Sequence, residues 1–279
     1  LEWNKQLNSS LYNKMSFVKI DISKKAQLLT LFKQNTFDLV CNLAAQAGVR
    51  YSIENPDAYI SANILGFSNV IQLCKEFKTS RLVYASSSSV YGNSPNVPFK
   101  ESDNTDNPVS LYAASKKSNE LIASSYANLF NMDLIGLRFF TVYGPFGRPD
   151  MAPFLFSNSI LGNKTLNVFN SGNLSRDFTY IDDIVDGIII TFGIKNSGNQ
   201  LFNIGNNSPT KLLYFIELLE DNFKKKSKKI FLDMQLGDVN KTWASVEKLF
   251  KHGYSPKISI EQGVEIFAKW FYKYYNNKL

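Results

Sequence analysis

Short runs rich in Val, Ile and Phe alternate along this chain with longer segments whose apolar residues recur at helical spacing. No other feature constrains the fold as strongly. A strand followed by a helix cannot close a hairpin with the next strand, so the two strands run parallel and the helix packs across their face. The spacing predicts strands at 16–20, 37–44, 81–86 and 134–139, with helices at 23–34, 56–77 and 111–130. The expected class is α/β, a doubly wound parallel sheet. After Gly144 the texture changes, as Pro145, Pro149 and Pro153 crowd together before a helix at 154–162 and strands at 166–169 and 177–181. We place a boundary there, between a unit of residues 1–144 and a smaller α/β lobe of residues 145–279 that sends some segments back to the first. The remaining expected elements are helices at 182–195, 212–224, 244–252 and 260–275 and a strand at 201–204.

Composition excludes several classes. At 279 residues the chain can bury one sizeable core, or one core with a smaller lobe, since single cores stop growing at roughly 250 to 300 residues. No apolar run approaches the ~20 residues that span a bilayer, so a membrane protein is not expected. The formal charge of +7 owes much to Lys224, Lys225, Lys226, Lys228 and Lys229. These follow a helical run and have no aromatic residues among them, which predicts a solvated loop and not a nucleic-acid surface. Cys41 and Cys74 are the only cysteines. Both sit in apolar or helical patterns and are read as buried thiols of a protein in a reducing cytoplasm. His252, the sole histidine, lies beside Gly253 without a second ligand at metal spacing, so it is read as a surface residue and no metal is expected. Residues 1–15 have neither a basic start with an apolar core nor a small-residue cleavage site, and the chain is expected to begin mid-sequence.

Tyr112 and Lys116 stand four apart at the start of a predicted helix, one turn from each other on the same face. A tyrosine with its ordinary pKa of about 10 is a poor base at neutral pH, but a nearby ammonium favours the phenolate. Such a pair can take a proton from an alcohol. Alone the spacing also describes an ordinary amphipathic surface. Context comes from Ser86, Ser87, Ser88 and Ser89, which end the strand beginning at Arg81. Open α/β sheets bind ligands at the carboxyl ends of their strands, so a hydroxyl there can meet a substrate oxygen; a serine-rich turn is the plain alternative. Small residues after another strand, Ala44, Ala45, Gln46, Ala47 and Gly48, would let a cofactor approach closely.

Seven ordered segments carry a specific resemblance. They are Asn42-Leu-Ala-Ala-Gln-Ala-Gly-Val-Arg-Tyr-Ser52, Tyr84-Ala-Ser-Ser-Ser-Ser-Val-Tyr-Gly92, Leu111-Tyr-Ala-Ala-Ser-Lys-Lys117, Leu137-Arg-Phe-Phe-Thr-Val-Tyr-Gly-Pro145, Gly147-Arg-Pro-Asp-Met-Ala152, Arg176-Asp-Phe-Thr-Tyr-Ile-Asp-Asp183 and Phe202-Asn-Ile-Gly-Asn206. With these the chain resembles the extended short-chain dehydrogenase/reductase superfamily, and within it the UDP-glucuronate 4-epimerases. The resemblance implies a Rossmann-type fold, an isomerase that uses NAD, a UDP-sugar substrate and a homodimer built on the helices at 56–77 and 111–130. It implies Tyr112 as acid/base, Lys116 as its pKa-lowering neighbour and a ligand of the nicotinamide ribose, and Ser87 as partner of the reacting hydroxyl, with Ser88 and Ser89 in support. Asp21, Ala44, Ala45, Gln46 and Asn63 match positions lining the cofactor cleft. Val168 and Phe169 fall near the uracil, Arg176 and Asp238 near the UDP phosphates and ribose, and Arg148 with Thr141 near the sugar carboxylate. For Arg176 an ion pair with Asp177, Asp182 or Asp183 is the structural alternative.

The implied reaction inverts C4 through a 4-keto sugar. From a uronic acid that intermediate is a β-keto acid prone to lose carbon dioxide, and a guanidinium gripping the carboxylate in two hydrogen bonds would restrain it. Three other readings stand beside this one: an epimerase of UDP-N-acetylhexosamines or their uronic acids, a decarboxylating synthase, and a non-catalytic remnant. The last is motivated by a departure from the family. No G-x-x-G-x-x-G occurs in the chain, so a fragment is expected, with residues 16–20 forming the third strand of a sheet of order 3-2-1-4-5-6 whose first two strands lie outside it. The segment 193–200 also looks short for the group, and Leu236 stands where proline is common before Gly237 and Asp238.

Overall fold

The computed structural model describes residues 14–195, 198–235 and 237–276. Leu236 and part of the 193–200 segment, and the expectations attached to them, lie outside the described residues. In chain order the main elements are α1 (Lys25–Gln34), β1 (Leu39–Asn42), α2 (Gly66–Glu76), β2 (Arg81–Ser87), α3 (Leu111–Phe130), β3 (Leu134–Phe139), β4 (Thr141–Tyr143) and α4 (Ala152–Leu161). There follow β5 (Leu166–Phe169), β6 (Ser175–Tyr180), α5 (Ile181–Gly193), β7 (Asn199–Ile204), β8 (Pro209–Lys211), α6 (Leu212–Phe223), β9 (Lys229–Leu232) and α7 (Ile260–Asn276). Among the described residues no helix is long and apolar enough to cross a membrane.

The central sheet has four parallel strands in the order β1-β2-β3-β7. Period-two alternation sends neighbouring side chains to opposite faces. Leu82, Tyr84 and Leu134 pack with Leu28 and Phe32 of α1, Phe67, Val70 and Ile71 of α2, and Ala123 of α3 on one face. Val83, Ile135 and Leu137 pack with Ile184 and Ile188 of α5, and with Val246 and Leu249, on the other. Runs that read as nearly continuous apolar segments are the expected signature of strands buried on both sides. Beyond the sheet's carboxyl edge a second lobe gathers the β4-β6-β8 sheet and the β5-β9 pair around Phe154, Phe178, Phe215, Phe267 and Phe271.

Four expectations need correction or refinement. Residues 16–20 form no strand, and Phe17 and Val18 are largely exposed. A strand exists only against a ladder partner, and β1, at the sheet's edge among the described residues, pairs only with β2. The helix expected over 56–77 is present without a break over 56–76 but is not uniform, since Ile60–Leu65 is π-helical between the α-helical Pro56–Tyr59 and α2. Its wider turn accompanies the inward placement of the buried Asn63. The helix expected at 244–252 shortens to Glu247–Phe250, because Ala244 and Ser245 are drawn into extended pairing with Phe99. The lysine segment is only in part a solvated loop, since Lys229 opens β9, which pairs with β5.

Lys229 and Ser227 both donate to the buried Glu220 carboxylate of α6. Burial would raise its pKa from 4.5, but the bonds from Lys229 and Ser227 outweigh burial and hold it at about 2. A value depressed in the folded state contributes stability that is complete above about pH 5 and disappears as pH falls through about 2. Glu220→Gln is therefore expected to destabilise the fold at neutral pH by about 1–3 kcal/mol, the range for buried groups that lose a partner. Thermal unfolding of both proteins across pH checks this: the gap should close in acid, and a pH-independent gap would contradict the assignment.

Candidate active site

Three consecutive residues at the end of β2 face three successive turns of α3. The Lys116 ammonium, 4% exposed, donates to the Ala85 carbonyl at 2.8 Å. The Ser86 hydroxyl donates to Glu120 Oε1 at 2.6 Å. Ser87 accepts from the Ser89 backbone N–H at 3.1 Å, as the cap of a short 3-10 turn over Ser88–Tyr91, and its hydroxyl interacts with the Tyr112 phenol. Ser110 caps α3 by accepting from the Ala113 N–H at 3.1 Å, which fixes the helix start one turn before Lys116. Ser87, Ser88 and Ser89 thus stand at the strand end where ligands of such sheets bind.

Burial raises the pKa of the Tyr112 phenol, and the Ser87 hydroxyl and the Arg148 guanidinium draw it back down. Burial lowers that of Lys116 to about 8. The Lys116 ammonium bonds the Ala85 carbonyl, and Ser87 and Arg148 are neighbours that favour the phenolate. Tyr59, which the sequence pattern did not single out, packs its ring edge-on to Tyr112 at 6.1 Å. It is fully buried and donates toward the Ala47 and Gly48 carbonyls. Its only sequence signal is the Asn55-Pro56 helix start, where Asn55 accepts from Ala58.

The Arg148 side chain belongs to the same cluster. A Cβ on Gly48 would stand 3.2 Å from Arg148 Nη2 and 3.5 Å from the Tyr59 hydroxyl, and it is the φ of +110° that favours glycine at this position. Asp150 engages Arg148 through Nε, at 3.0 Å, and through Nη2, and this guanidinium holds the Asp150 carboxyl below its ordinary value. One edge of the guanidinium is thereby used. Its outer pair of nitrogens remains the edge suited to a second carboxylate. Thr141 opens β4, half-buried.

The residues matched to a cofactor cleft lie along the carboxyl end of β1. Ala44 and Ala45 are exposed and offer only methyl groups. Asn63 grips Gln46 from both sides, accepting from its N–H at 2.8 Å and donating to its carbonyl at 2.9 Å, and donates to Ser115 on α3 at 2.9 Å. This fixed, small-residue edge beside Lys116 and Tyr112 fits the flat nicotinamide end of NAD, with two ammonium N–H groups of Lys116 left for its ribose. Asp21 is exposed and accepts from the Ser23 N–H at 2.9 Å in the turn before α1.

On the second lobe Val168 is wholly buried, so only its backbone can face a base, while Phe169 carries the Arg50 guanidinium 5.5 Å above its ring. Arg50 also approaches Asp238 at 3.9 Å. It lies within the Asn42 to Ser52 segment but was not assigned a role there. Arg176 donates to the Ser175 and Asn240 carbonyls, and Asp238 is the carboxylate that bears on it. Two of the alternative partners are engaged elsewhere: Asp177 accepts from Asn206 and Ala244, and Asp183 from Lys257 and Ile258. The two arginines beside one carboxylate form a positive rim suited to a diphosphate.

Comparison with known proteins shows the family to which the chain belongs. A model of the NAD dependent epimerase/dehydratase family matches residues 3–205. An uncharacterized protein of Methanocaldococcus jannaschii is 50% identical, over 93% of this chain and 80% of its own length. UDP-glucuronate 4-epimerase 4 of Arabidopsis thaliana is 44% identical over 93% of this chain, which spans 63% of that relative. Among solved structures, UDP-glucuronic acid 4-epimerase of Bacillus cereus, in complex with UDP-glucuronic acid and NAD, superimposes with a TM-score of 0.88 and 32% identity. That match covers 98% of this chain and 85% of the other.

Proposed function

The chain belongs to the NAD dependent epimerase/dehydratase family, and on that premise we propose that it interconverts UDP-glucuronate and UDP-galacturonate. It is an NAD-dependent epimerase of UDP-sugars with the Rossmann-type parallel sheet of its relatives. The observation that carries the uronate reading is Arg148, whose guanidinium reaches the neighbourhood of the Tyr112 phenol with one edge held by Asp150.

In this reading Tyr112 accepts the proton of the sugar O4 while Ser87 holds the same oxygen, and Tyr112 returns the proton after the sugar has turned over. NAD held at the carboxyl end of β1 would supply the hydride acceptor and donor for C4, with no net redox change over the cycle. Lys116 binds the nicotinamide ribose while it bonds Ala85. Ser88, Ser89 and Thr141 line the sugar, and Arg148 clamps its carboxylate so that the C5–C6 bond stays out of alignment with the C4 carbonyl and carbon dioxide is retained. Arg176 and Asp238 bind the UDP phosphates and ribose, and the β5 end at Val168 and Phe169 receives the uracil. Asp21, Ala44, Ala45, Gln46 and Asn63 form the cofactor edge. A homodimer is part of the reading, supported by Ile60, Leu65, Leu121, Leu129 and Phe130, which stand exposed on the helices expected to form it.

Incubating the NAD-loaded enzyme with UDP-glucuronate and resolving the products tests the assignment. UDP-galacturonate is expected, with no net accumulation of reduced nicotinamide. Conversion of UDP-N-acetylglucosamine alone would transfer the assignment to the hexosamine epimerases, and release of carbon dioxide as the main outcome would transfer it to the decarboxylating synthases. Sizing the same preparation by light scattering tests the dimer, for which twice the chain mass is expected.

A further inference from the structure

Behind the candidate site lies a buried charged network that the reaction itself does not use. Glu120 of α3 is 4% exposed and accepts from Ser86 Oγ at 2.6 Å, from Arg138 Nε at 2.8 Å and from Arg138 Nη2 at 2.8 Å. Arg138 of β3 is 2% exposed; its third nitrogen donates to the Glu101 carbonyl at 3.3 Å, and its guanidinium lies 4.8 Å over the Tyr91 ring. Burial alone would weaken its hold on the proton, and the Glu120 carboxylate more than reverses that, so the guanidinium stays charged. A buried ion pair is weak evidence for stability, since apolar residues of similar volume often serve a fold as well or better. What it supplies is a fixed geometry.

The geometry set here is that of α3 against β2. Glu120 is one turn beyond Lys116 and two beyond Tyr112, and Ser86 is the residue immediately before Ser87. We propose that the Ser86, Glu120 and Arg138 network fixes the position and roll of α3 on the sheet, so that Tyr112 and Ser87 converge on the same substrate oxygen. This rests on the reading of Tyr112 as the acid/base. Ser86 and Glu120 are then positioning residues, acting through Ser87 and Tyr112 and touching no substrate. The two hydroxyls of the serine run divide the work, with Ser86 locking the helix from behind and Ser87 facing the chemistry.

Ser86→Ala isolates the link, because it leaves the Glu120 and Arg138 ion pair whole. The control is Ser157→Ala, which removes another fully buried serine hydroxyl, bonded to the Pro153 carbonyl at 2.7 Å on α4 in the other lobe. Both variants are compared in the NAD-loaded enzyme by kcat, KM, the pH profile of kcat and the thermal midpoint. Loosened placement of reacting groups is expected to lower kcat of Ser86→Ala by about ten-fold or more with KM little changed. The limb of the profile set by Tyr112 should move to higher pH, since of its neighbours Ser87, Arg148 and Tyr59 it is the Ser87 contact that slackens. Ser157→Ala should lose a similar amount of stability and none of these. If Ser86→Ala fails to fold, Ser86→Cys, which keeps volume but donates weakly, is read in its place. Unchanged kcat and pH profile at reduced stability, or a change confined to KM, would overturn the proposal. An inactive parent enzyme would instead overturn the reading of Tyr112 on which the proposal rests.

Discussion

Tyr112→Phe is expected to lower kcat for epimerisation by about 10²- to 10⁴-fold, the span that a positioned acid/base contributes. The substitution removes one oxygen and little else. The ring's edge-on contact with Tyr59 at 6.1 Å survives, and burial keeps the phenol neutral near pH 7, so no buried charge is lost and the thermal midpoint should change little. KM for the UDP-sugar should change much less than kcat, because in the proposed reading the nucleotide is held by the other lobe. Product formation under saturating substrate, read beside a melting curve, decides the matter. A variant within ten-fold of the parent would show that the O4 proton travels by another route, with Lys116, whose pKa burial brings to about 8, as the next group to test.

The second large effect concerns which product is made. Arg148→Ala removes the carboxylate clamp, and a hydrogen-bonded charge contact is worth about 1.5–3 kcal/mol, so kcat/KM for UDP-glucuronate should fall by about ten- to hundred-fold. More telling is the fate of the 4-keto intermediate. A β-keto acid whose carboxylate can rotate loses carbon dioxide as the C5–C6 bond breaks, its electron pair passing to the carbonyl as an enolate that then takes up a proton. Carbon dioxide per turnover should therefore rise as epimer falls. Because Arg148 also favours the Tyr112 phenolate, its loss should move the ascending limb of the kcat profile to higher pH. A variant that turns over slowly with the parent's product ratio would mean that Arg148 binds the sugar without restraining it.

Several of these groups were readable from residue order because local chemistry repeats at a fixed period. The bounds expected for β3 and β5 match the observed Leu134–Phe139 and Leu166–Phe169, since both are short apolar runs with clear flanks. The strands that escaped notice, β4, β8 and β9, have three or four residues and take their definition from partners far along the chain, as when Lys229–Leu232 adds to β5. Composition at 16–20 favours a strand equally well, yet extended structure needs a neighbour that the local sequence does not supply. The site divides the same way. Tyr112, Lys116 and the serine run are legible as candidates once helix spacing and strand end are read together with the resemblance, while Tyr59 and Arg50 make contacts with Tyr112, Phe169 and Asp238 that only the folded chain creates. Ser86 is set apart only in the folded chain, because four serines in a row look alike until one of them bonds Glu120 of α3.

Helix α3 meets the strand end through residues 112, 116 and 120, each a turn apart. One residue added or removed between Tyr112 and Glu120 would rotate everything beyond it by about 100°, carrying the carboxylate away from Arg138 or the phenol away from Ser87. This eight-residue interval therefore has a fixed length, set by the contacts made at its two ends.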